Sequence, residues 1–277
     1  MKISVLAPTY NRAQKIARAV DSVLNQTRRP FEVIVVDDGS TDKTPLLLTK
    51  YNGAVKVIRQ NNQGVAAARN RAIKEARGEW FALLDSDDWW LPAKMEEQIA
   101  FHQKNPDLLI SQTNEIWLRN RVKVNPKRYH EKQAGWIFEK CLERCLISPS
   151  AVLINRKVLG EVGLFDETLP ACEDYDLWLR ITRLFRVGLV KENLVVKTGG
   201  HQDQLSAKFW GLDRFRVQAL EKILNFPLGK EQQKEVFRVL VAKLTILKNG
   251  SLKRGDTGRA QTYQKKIERY KAVLKTP

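Results

Sequence analysis

This sequence predicts an α/β fold whose mostly parallel central sheet is covered by helices on both faces, and three observations carry the expectation. Four short apolar segments, Lys2–Ala7, Phe31–Val36, Ala54–Arg59 and Trp80–Leu84, alternate with helical stretches through the N-terminal third. Such alternation implies crossover connections and parallel strands. The segments are nearly continuous in apolar residues, the pattern of strands buried on both faces. Polar clusters follow three of the strands, at Thr9-Tyr10, Asp37-Asp38 and Asp85 to Asp88. The carboxyl ends of strands are where open α/β sheets bind ligands.

In chain order, Lys2–Ala7 is the first strand, stopped by Pro8, which cannot donate to a ladder. Ile16, Val20, Val23 and Leu24 recur at helical spacing, so Ala13 to Gln26 is an amphipathic helix ended by Arg28-Arg29-Pro30. β-Branched residues mark Phe31–Val36 as the second strand. Gly39-Ser40-Thr41-Asp42 is a turn that also caps a helix continuing from Leu46 to Tyr51. Ala54–Arg59 is the third strand, and Val65 to Ala76 is an alanine-rich helix after the turn Asn61-Asn62-Gln63-Gly64. Gly78 is placed to close that helix in the left-handed conformation. Trp80–Leu84 then forms the central strand.

Beyond it the rhythm loosens. The pattern predicts a helix from Pro92 to Lys104, a strand from Leu108 to Leu118 and a basic hairpin or loop from Arg119 to His130. A helix from Trp136 to Leu142 and a strand from Ser150 to Asn155 follow. Leu177, Trp178 and Ile181 make the apolar stripe of a helix beginning about Glu173, and Arg186 to Lys197 is a further strand. Three stripes in the tail predict three amphipathic helices. They are Phe209 to Leu224, Val236 to Leu247, and Tyr263 to Leu274, expected to pack on the preceding domain or on each other.

Asp85, Asp87 and Asp88 place three carboxylates within four residues. On a continuing strand Asp85 and Asp87 would point the same way across Ser86. Like charges that close repel unless a cation sits among them. Hard oxygen donors without nearby His-Cys spacing favour Mg²⁺ or Mn²⁺ over Zn²⁺. One reading is a divalent metal holding a substrate diphosphate; the other is an acidic turn that caps the helix near Pro92. On spacing alone, Glu173 and Asp174 are first-turn acids that complement a helix dipole. No GxGxxG or GxxxxGK[ST] loop follows the first strand, so the common dinucleotide and P-loop solutions for phosphate are absent.

The chain has 277 residues, 43% of them apolar, which suits one large domain or two smaller ones. No apolar run approaches the ~18 residues that would cross a bilayer, and no cleavable leader is evident. The expectation is a cytosolic protein. Three cysteines, Cys141, Cys145 and Cys172, are too few for a disulfide framework and read as buried or idle thiols. The formal charge of +17 favours anionic partners. It is concentrated in residues 206–277, which hold 17 Lys and Arg against 6 Asp and Glu.

Five blocks carry a family pattern in order: Ala7 to Arg12, Val35 to Asp42, Asn62-Gln63-Gly64 with Ala68-Arg69-Asn70, Leu84 to Asp88, and Glu173 to Trp178. Over roughly Lys2 to Ser206 the chain resembles a family 2 glycosyltransferase of the GT-A (Rossmann-like) fold. The resemblance implies a GT-A domain over residues 1–205. Its nucleotide-sugar half would span about 1–100 and its acceptor half about 101–205, with a basic helical region from 206 to 277. It implies an inverting, Mg²⁺- or Mn²⁺-dependent transfer from a nucleoside-diphosphate sugar, with uracil favoured and thymine or guanine left open. Carried over residue by residue, Thr9, Tyr10 and Asp38 would hold the base, and Arg69 would lie near the ribose or phosphates. Asp85, Ser86 and Asp87 match the DxD motif, with Asp85 on the ribose and Asp87 on the metal. Asp88 allows the motif to be read one residue later. His201 falls where relatives carry a histidine that meets the metal or diphosphate. Asp174 would be the catalytic base with Glu173 second, and a helix N-terminus would keep such a base ionised.

The resemblance also implies a glycan or lipid-linked acceptor. The basic tail would suit reversible attachment to the anionic cytoplasmic face of a membrane. The chief alternative is a nucleic-acid-binding protein that uses this tail. Neither a recognition-helix signature nor an RNA-binding sheet pattern supports it. A nucleotidyltransferase is disfavoured because Pro8-Thr9-Tyr10-Asn11 is not a glycine- and lysine-rich loop.

Overall fold

A computed structural model describes residues 1–125, 127–200 and 209–275. Its first half is the expected α/β rhythm: β1 (Ile3–Thr9), α1 (Ile16–Leu24), β2 (Glu32–Asp37), α2 (Thr44–Leu48), β3 (Lys56–Arg59), α3 (Val65–Glu75) and β4 (Trp80–Leu83). β1 lies between β2 and β4, β3 flanks β2, and all of these pairs are parallel. Successive side chains enter opposite faces. Val5, Val33, Val35 and Ala82 join one apolar cluster with Ile16, Val20 and Val23 of α1. Leu6, Ile34, Val36, Phe81 and Leu83 join another with Ala68, Ala72 and Ile73 of α3. A strand with helices on both sides needs apolar residues at every position, which is why the runs are unbroken.

The second half continues the sheet with mixed pairing. It comprises β5 (Trp89–Trp90), α4 (Lys94–Lys104), β6 (Ile110–Arg119), β7 (Val122–Val124), α5 (Phe138–Glu143), β8 (Val152–Asn155), α6 (Arg156–Val162), α7 (Glu173–Thr182) and β9 (Gly188–Gly199). The strand order is β3-β2-β1-β4-β8-β6-β9-β5, with β7 paired to β6. β8 is antiparallel to both β4 and β6, while β6 and β9 run parallel. The basic segment after β6 is a hairpin. Arg119 pairs with Val122 around Asn120 and Arg121, both left-handed at φ 49° and 66°, as a two-residue hairpin turn requires.

The tail folds as α8 (Asp213–Ile223), α9 (Lys230–Lys253) and α10 (Thr257–Lys275). Leu220, Val236, Leu240, Leu244 and Ile267 are buried in the same cluster as Phe81 and Leu83 of the sheet. The tail stripes thus pack on the α/β body and on each other, as their spacing predicts.

Three local expectations are corrected. Pro8 does not stop β1: its pairing with β4 ends at Leu6, while pairing with β2 runs on to Thr9. Gly78 is not a left-handed cap. A Cβ there would lie 2.5 Å from Ser4 Oγ and 2.9 Å from the Lys2 carbonyl, so close backbone approach demands the glycine. The acids after β4 do not continue a strand; Asp88 N–H bonds back to the Asp85 carbonyl at 3.0 Å in a turn. A helix with no expectation, α6, is capped by Asn155, whose side chain accepts from Lys157 N–H at 3.0 Å.

Candidate active site

The carboxyl ends of β1, β2 and β4 and the N-terminus of α7 surround one cleft of about 1180 Å³. Thr9, Tyr10, Asp38, Arg69, Asp85, Ser86, Asp87, Asp88, Glu173 and Asp174 all line it. His201, expected beside the metal, lies outside the described residues.

On the β1–β2 side, Asp38 is buried and organises the loop before α3. Its carboxylate accepts from Gln63 N–H at 3.0 Å, Gly64 N–H at 2.8 Å and Gln60 Nε2 at 2.8 Å. Oδ1 thus accepts twice, while Oδ2 keeps one lone pair for a further donor. Thr9 is buried nearby, and its hydroxyl lacks a hydrogen-bond partner. An unmatched buried hydroxyl in a cleft marks a place where a polar ligand atom would restore a bond. Tyr10, 37% exposed, stands at the rim.

The acidic turn is fixed from below. Ser150 Oγ accepts from Asp85 N–H at 3.1 Å and donates to Asp88 Oδ2 at 2.7 Å. Thr198 N–H donates to Asp88 Oδ1 at 2.8 Å, and its hydroxyl donates to the Asp87 carbonyl at 2.8 Å. Ser86 and Asp88 are buried, whereas Asp85 and Asp87 are half-buried. Burial, reinforced by Asp87, pushes the Asp88 carboxyl well above the usual range despite Lys197 nearby. Asp88 therefore braces the turn, which leaves Asp85 and Asp87 as its two half-buried acids lining the cleft. Among the described residues no group of three His, Cys, Asp or Glu could hold a metal alone. Two carboxylates fit Mg²⁺ or Mn²⁺ completed by substrate phosphates and water, because these ions keep several non-protein oxygens.

Arg69 of α3 ties the two acidic groups together. Its guanidinium donates to Asp85 Oδ1 at 2.7 Å and to Glu173 Oε1 at 2.6 Å, while its buried Nε lacks a hydrogen-bond partner. Burial opposes its charge, but Asp85, Glu173 and Asp174 outweigh that and raise its pKa. Glu173 is buried at the start of α7; burial and then Asp174 push its pKa up to about 7 against the pull of Arg69. For Glu173, desolvation is therefore larger than the lowering expected of a helix N-terminus. Asp174 is half-buried, with Oδ1 accepting from Tyr175 N–H at 2.7 Å and Oδ2 receiving the Cys145 thiol at 3.5 Å.

Sequence spacing did not reveal Ser150, Thr198, Cys145 or Lys197, which support these acids from distant segments. Lys197 Nζ donates to Ser148 Oγ at 3.0 Å. Burial works against its charge, yet Glu115, Asp88 and Asp85 raise its pKa.

An α/β sheet whose strand-end acids share a cleft with a helix-borne carboxylate pair is the arrangement of a glycosyltransferase of the GT-A type. The sequence comparisons agree. Residues 4–163 match the family model for glycosyl transferase family 2, and the chain belongs to that family. An uncharacterized glycosyltransferase of Rickettsia felis is 33% identical over 216 residues, 74% of this chain but 35% of that relative's length. The chain therefore spans about a third of that relative. WfgD of Escherichia coli, a UDP-Glc:α-D-GlcNAc-diphosphoundecaprenol β-1,3-glucosyltransferase, is 32% identical over 65% of this chain and 70% of its own. The mannosyltransferase PcManGT of Pyrobaculum calidifontis, solved with GDP-Man and Mn²⁺, superposes with a TM-score of 0.63 at 17% identity. That superposition covers 99% of this chain and 86% of the mannosyltransferase.

Proposed function

We propose that the cleft transfers a sugar from a nucleoside-diphosphate sugar, with UDP favoured, to a hydroxyl of a glycan or lipid-linked acceptor in one inverting displacement. The observation that carries this reading is convergence: ten residues from five separated sequence blocks line a single cleft. Thr9, Tyr10 and Asp38 receive the base, the unmatched Thr9 hydroxyl and the spare Asp38 Oδ2 lone pair meeting its polar edge. Asp85 takes the ribose, with Ser86 packed in the turn beneath it, and Arg69 holds Asp85 in place for it. Asp87, with Asp85 beside it, would hold Mg²⁺ or Mn²⁺. The ion, when bound, supplies positive charge to the departing diphosphate. The solved mannosyltransferase with GDP-Man and Mn²⁺, and the UDP-Glc named for WfgD, support the donor class.

Asp174 accepts the proton of the incoming hydroxyl as the bond from that oxygen to the anomeric carbon forms and the bond to the diphosphate breaks. A single base on one side and a leaving group on the other gives inversion without a covalent intermediate. Glu173, fastened to Arg69, aligns the start of α7. No helix among the described residues is long and apolar enough to cross a membrane. We place the enzyme at an anionic membrane surface through its basic tail, where a lipid-linked acceptor would reside. Nothing in the fold favours nucleic acid as the partner: Lys222, Arg238, Lys243 and Lys266 of the tail are engaged in ion pairs.

The direct test is thermal denaturation with UDP-, dTDP- and GDP-sugars, with and without Mn²⁺. A donor at 100 times its dissociation constant should add ~2.7 kcal/mol. Absence of stabilisation by every nucleotide sugar, with metal present, would refute the reading.

A further inference from the structure

The cleft wall also carries an aromatic surface that the proposed donor chemistry leaves unused. Trp117 of β6 holds its ring by donating Nε1–H to Glu115 Oε2 at 2.9 Å. The His130 ring lies 5.1 Å from Trp117 and 4.5 Å from Tyr129, tilted by 52° and 54°, so the three rings form one contiguous aromatic cluster. All three line the cleft, and Tyr129 is 50% exposed. A ring left so open contributes little to the core, whereas the C–H face of a pyranose would bury against it.

Cations border this face. Arg119 and Lys127 line the cleft, with the Lys127 ammonium 5.8 Å from the Tyr129 ring centre, while the Arg144 guanidinium sits 4.2 Å from that centre in the adjoining pocket. Burial lowers the His130 pKa, and Arg144, Lys132, Lys197 and Lys127 lower it further. The surface therefore carries a positive field and a neutral imidazole able to bond sugar hydroxyls. It also adjoins the proposed base. Arg144 lies over Tyr129, and the next residue, Cys145, gives its thiol to Asp174 Oδ2 at 3.5 Å.

We propose that Trp117, Tyr129 and His130 form the acceptor-sugar subsite, and that Arg119 and Lys127 select a sugar attached to phosphate. This rests on the reading of the cleft as a glycosyltransferase active site. A glycosyl phosphate stacks its sugar on the rings and points its anion at the cations, while Asp174 faces the accepting hydroxyl. The shared chemistry, a glycosyl phosphate ester, occurs on lipid carriers and in phosphate-bearing glycans.

The test is calorimetric titration of the full chain, saturated with UDP and Mn²⁺. The probes are the 1-phosphates of glucose, galactose, mannose and N-acetylglucosamine, their methyl glycosides, inorganic phosphate, and the same sugars as octyl diphosphates. At least one sugar 1-phosphate should bind about tenfold or more tighter than its methyl glycoside and than inorganic phosphate. Octyl diphosphates binding tighter still would support a lipid carrier as the source, and equal binding a phosphate-bearing glycan. Tyr129→Ala should weaken that binding about tenfold, Tyr129→Phe should retain it, and Arg119→Ala with Lys127→Ala should erase the preference for phosphate. UDP affinity should stay within about twofold in each variant. No binding of any sugar phosphate, equal binding of neutral and charged sugars, equal binding of inorganic phosphate, or indifference to Tyr129→Ala would overturn the proposal. A parallel loss of UDP affinity would also overturn it, by assigning the face to the donor. A wild-type chain that binds no nucleotide would instead overturn the active-site reading itself.

Discussion

Arg69 and Glu173 meet at 2.6 Å although 104 residues separate them in the chain, and both side chains are almost wholly buried. The same guanidinium holds Asp85, so one buried cation joins the turn after β4 to the first residue of α7. In the proposed reaction those two places carry the donor and the base. A buried side chain bonded at both ends bridges them.

The raised pKa of Glu173 gives a stability prediction with a definite sign. Its carboxyl moves from an ordinary value of 4.5 to about 7 in the fold. Between those values the folded chain holds a proton that the unfolded chain has lost, so stability falls as pH rises. This contribution is fully present below pH 4.5 and is lost as pH passes through about 7. Thermal melts from pH 5 to 8 should show the wild type losing stability relative to Glu173→Gln. A wild type that gains on the variant over this range would show that the Arg69 contact dominates instead.

Asp87 and Asp88 should separate cleanly. Asp87→Asn is expected to keep the fold and abolish the Mn²⁺ dependence of UDP binding measured by calorimetry. Asp88→Ala strands the Ser150 hydroxyl and the Thr198 N–H, each costing ~1–3 kcal/mol when left buried without a partner. It should therefore lower the melting temperature. Unchanged Mn²⁺ dependence in Asp87→Asn, with loss in a still-folded Asp88 variant, would exchange the two roles.

Gly78→Ala tests the junction of β1 and β4. The new methyl would stand 2.5 Å from Ser4 Oγ and 2.8 Å from Ser4 N, so backbone must move. Overpacking of this kind costs ~1–3 kcal/mol. Denaturant unfolding that shows no loss of stability would mean the strand ends are looser than the geometry describes.

The legible part of this molecule was local. Unbroken apolar runs, alternating with amphipathic stripes, specify β1, β2 and β4 and their helices because each of these runs must satisfy two covered faces, whereas β3, Lys56–Arg59, is a largely exposed edge strand. The acids at the strand ends were visible as clusters, and the family pattern connected them with Glu173-Asp174. The pairing of β8, β6 and β9 was not legible, because strand direction depends on where long connections return. β5 is only two residues, Trp89 and Trp90, too short for any period to register. Helix α6 did have a signal, Asn155 before it and Gly163 after it at φ 80°, that a search for caps would find. The burial of Asp88 had none, since Ser150 and Thr198 lie 62 and 110 residues away.

The basic tail gives a further expectation. Its apolar stripes are buried with the sheet, so membrane attachment would rest on surface groups. Trp210 is 44% exposed, with Arg214, Arg254 and Arg259 within 3.9 to 5.1 Å of its ring. Near an anionic leaflet each basic residue contributes ~1 kcal/mol. Co-sedimentation with vesicles should rise with anionic lipid, fall at high salt, and weaken in Arg254→Glu/Arg259→Glu. Binding that ignores salt, lipid charge and these substitutions would remove the tail from this role.

The most direct measurement is the split between donor affinity and turnover in Asp174→Asn. Calorimetry with the preferred nucleotide sugar and Mn²⁺ gives the first quantity, and release of the nucleoside diphosphate, including uncoupled hydrolysis, gives the second. If Asp174 receives the acceptor's proton, affinity stays within about twofold while release falls by ~10²–10⁴. Near-normal release, or a loss of affinity as large as the loss of turnover, would contradict the assignment.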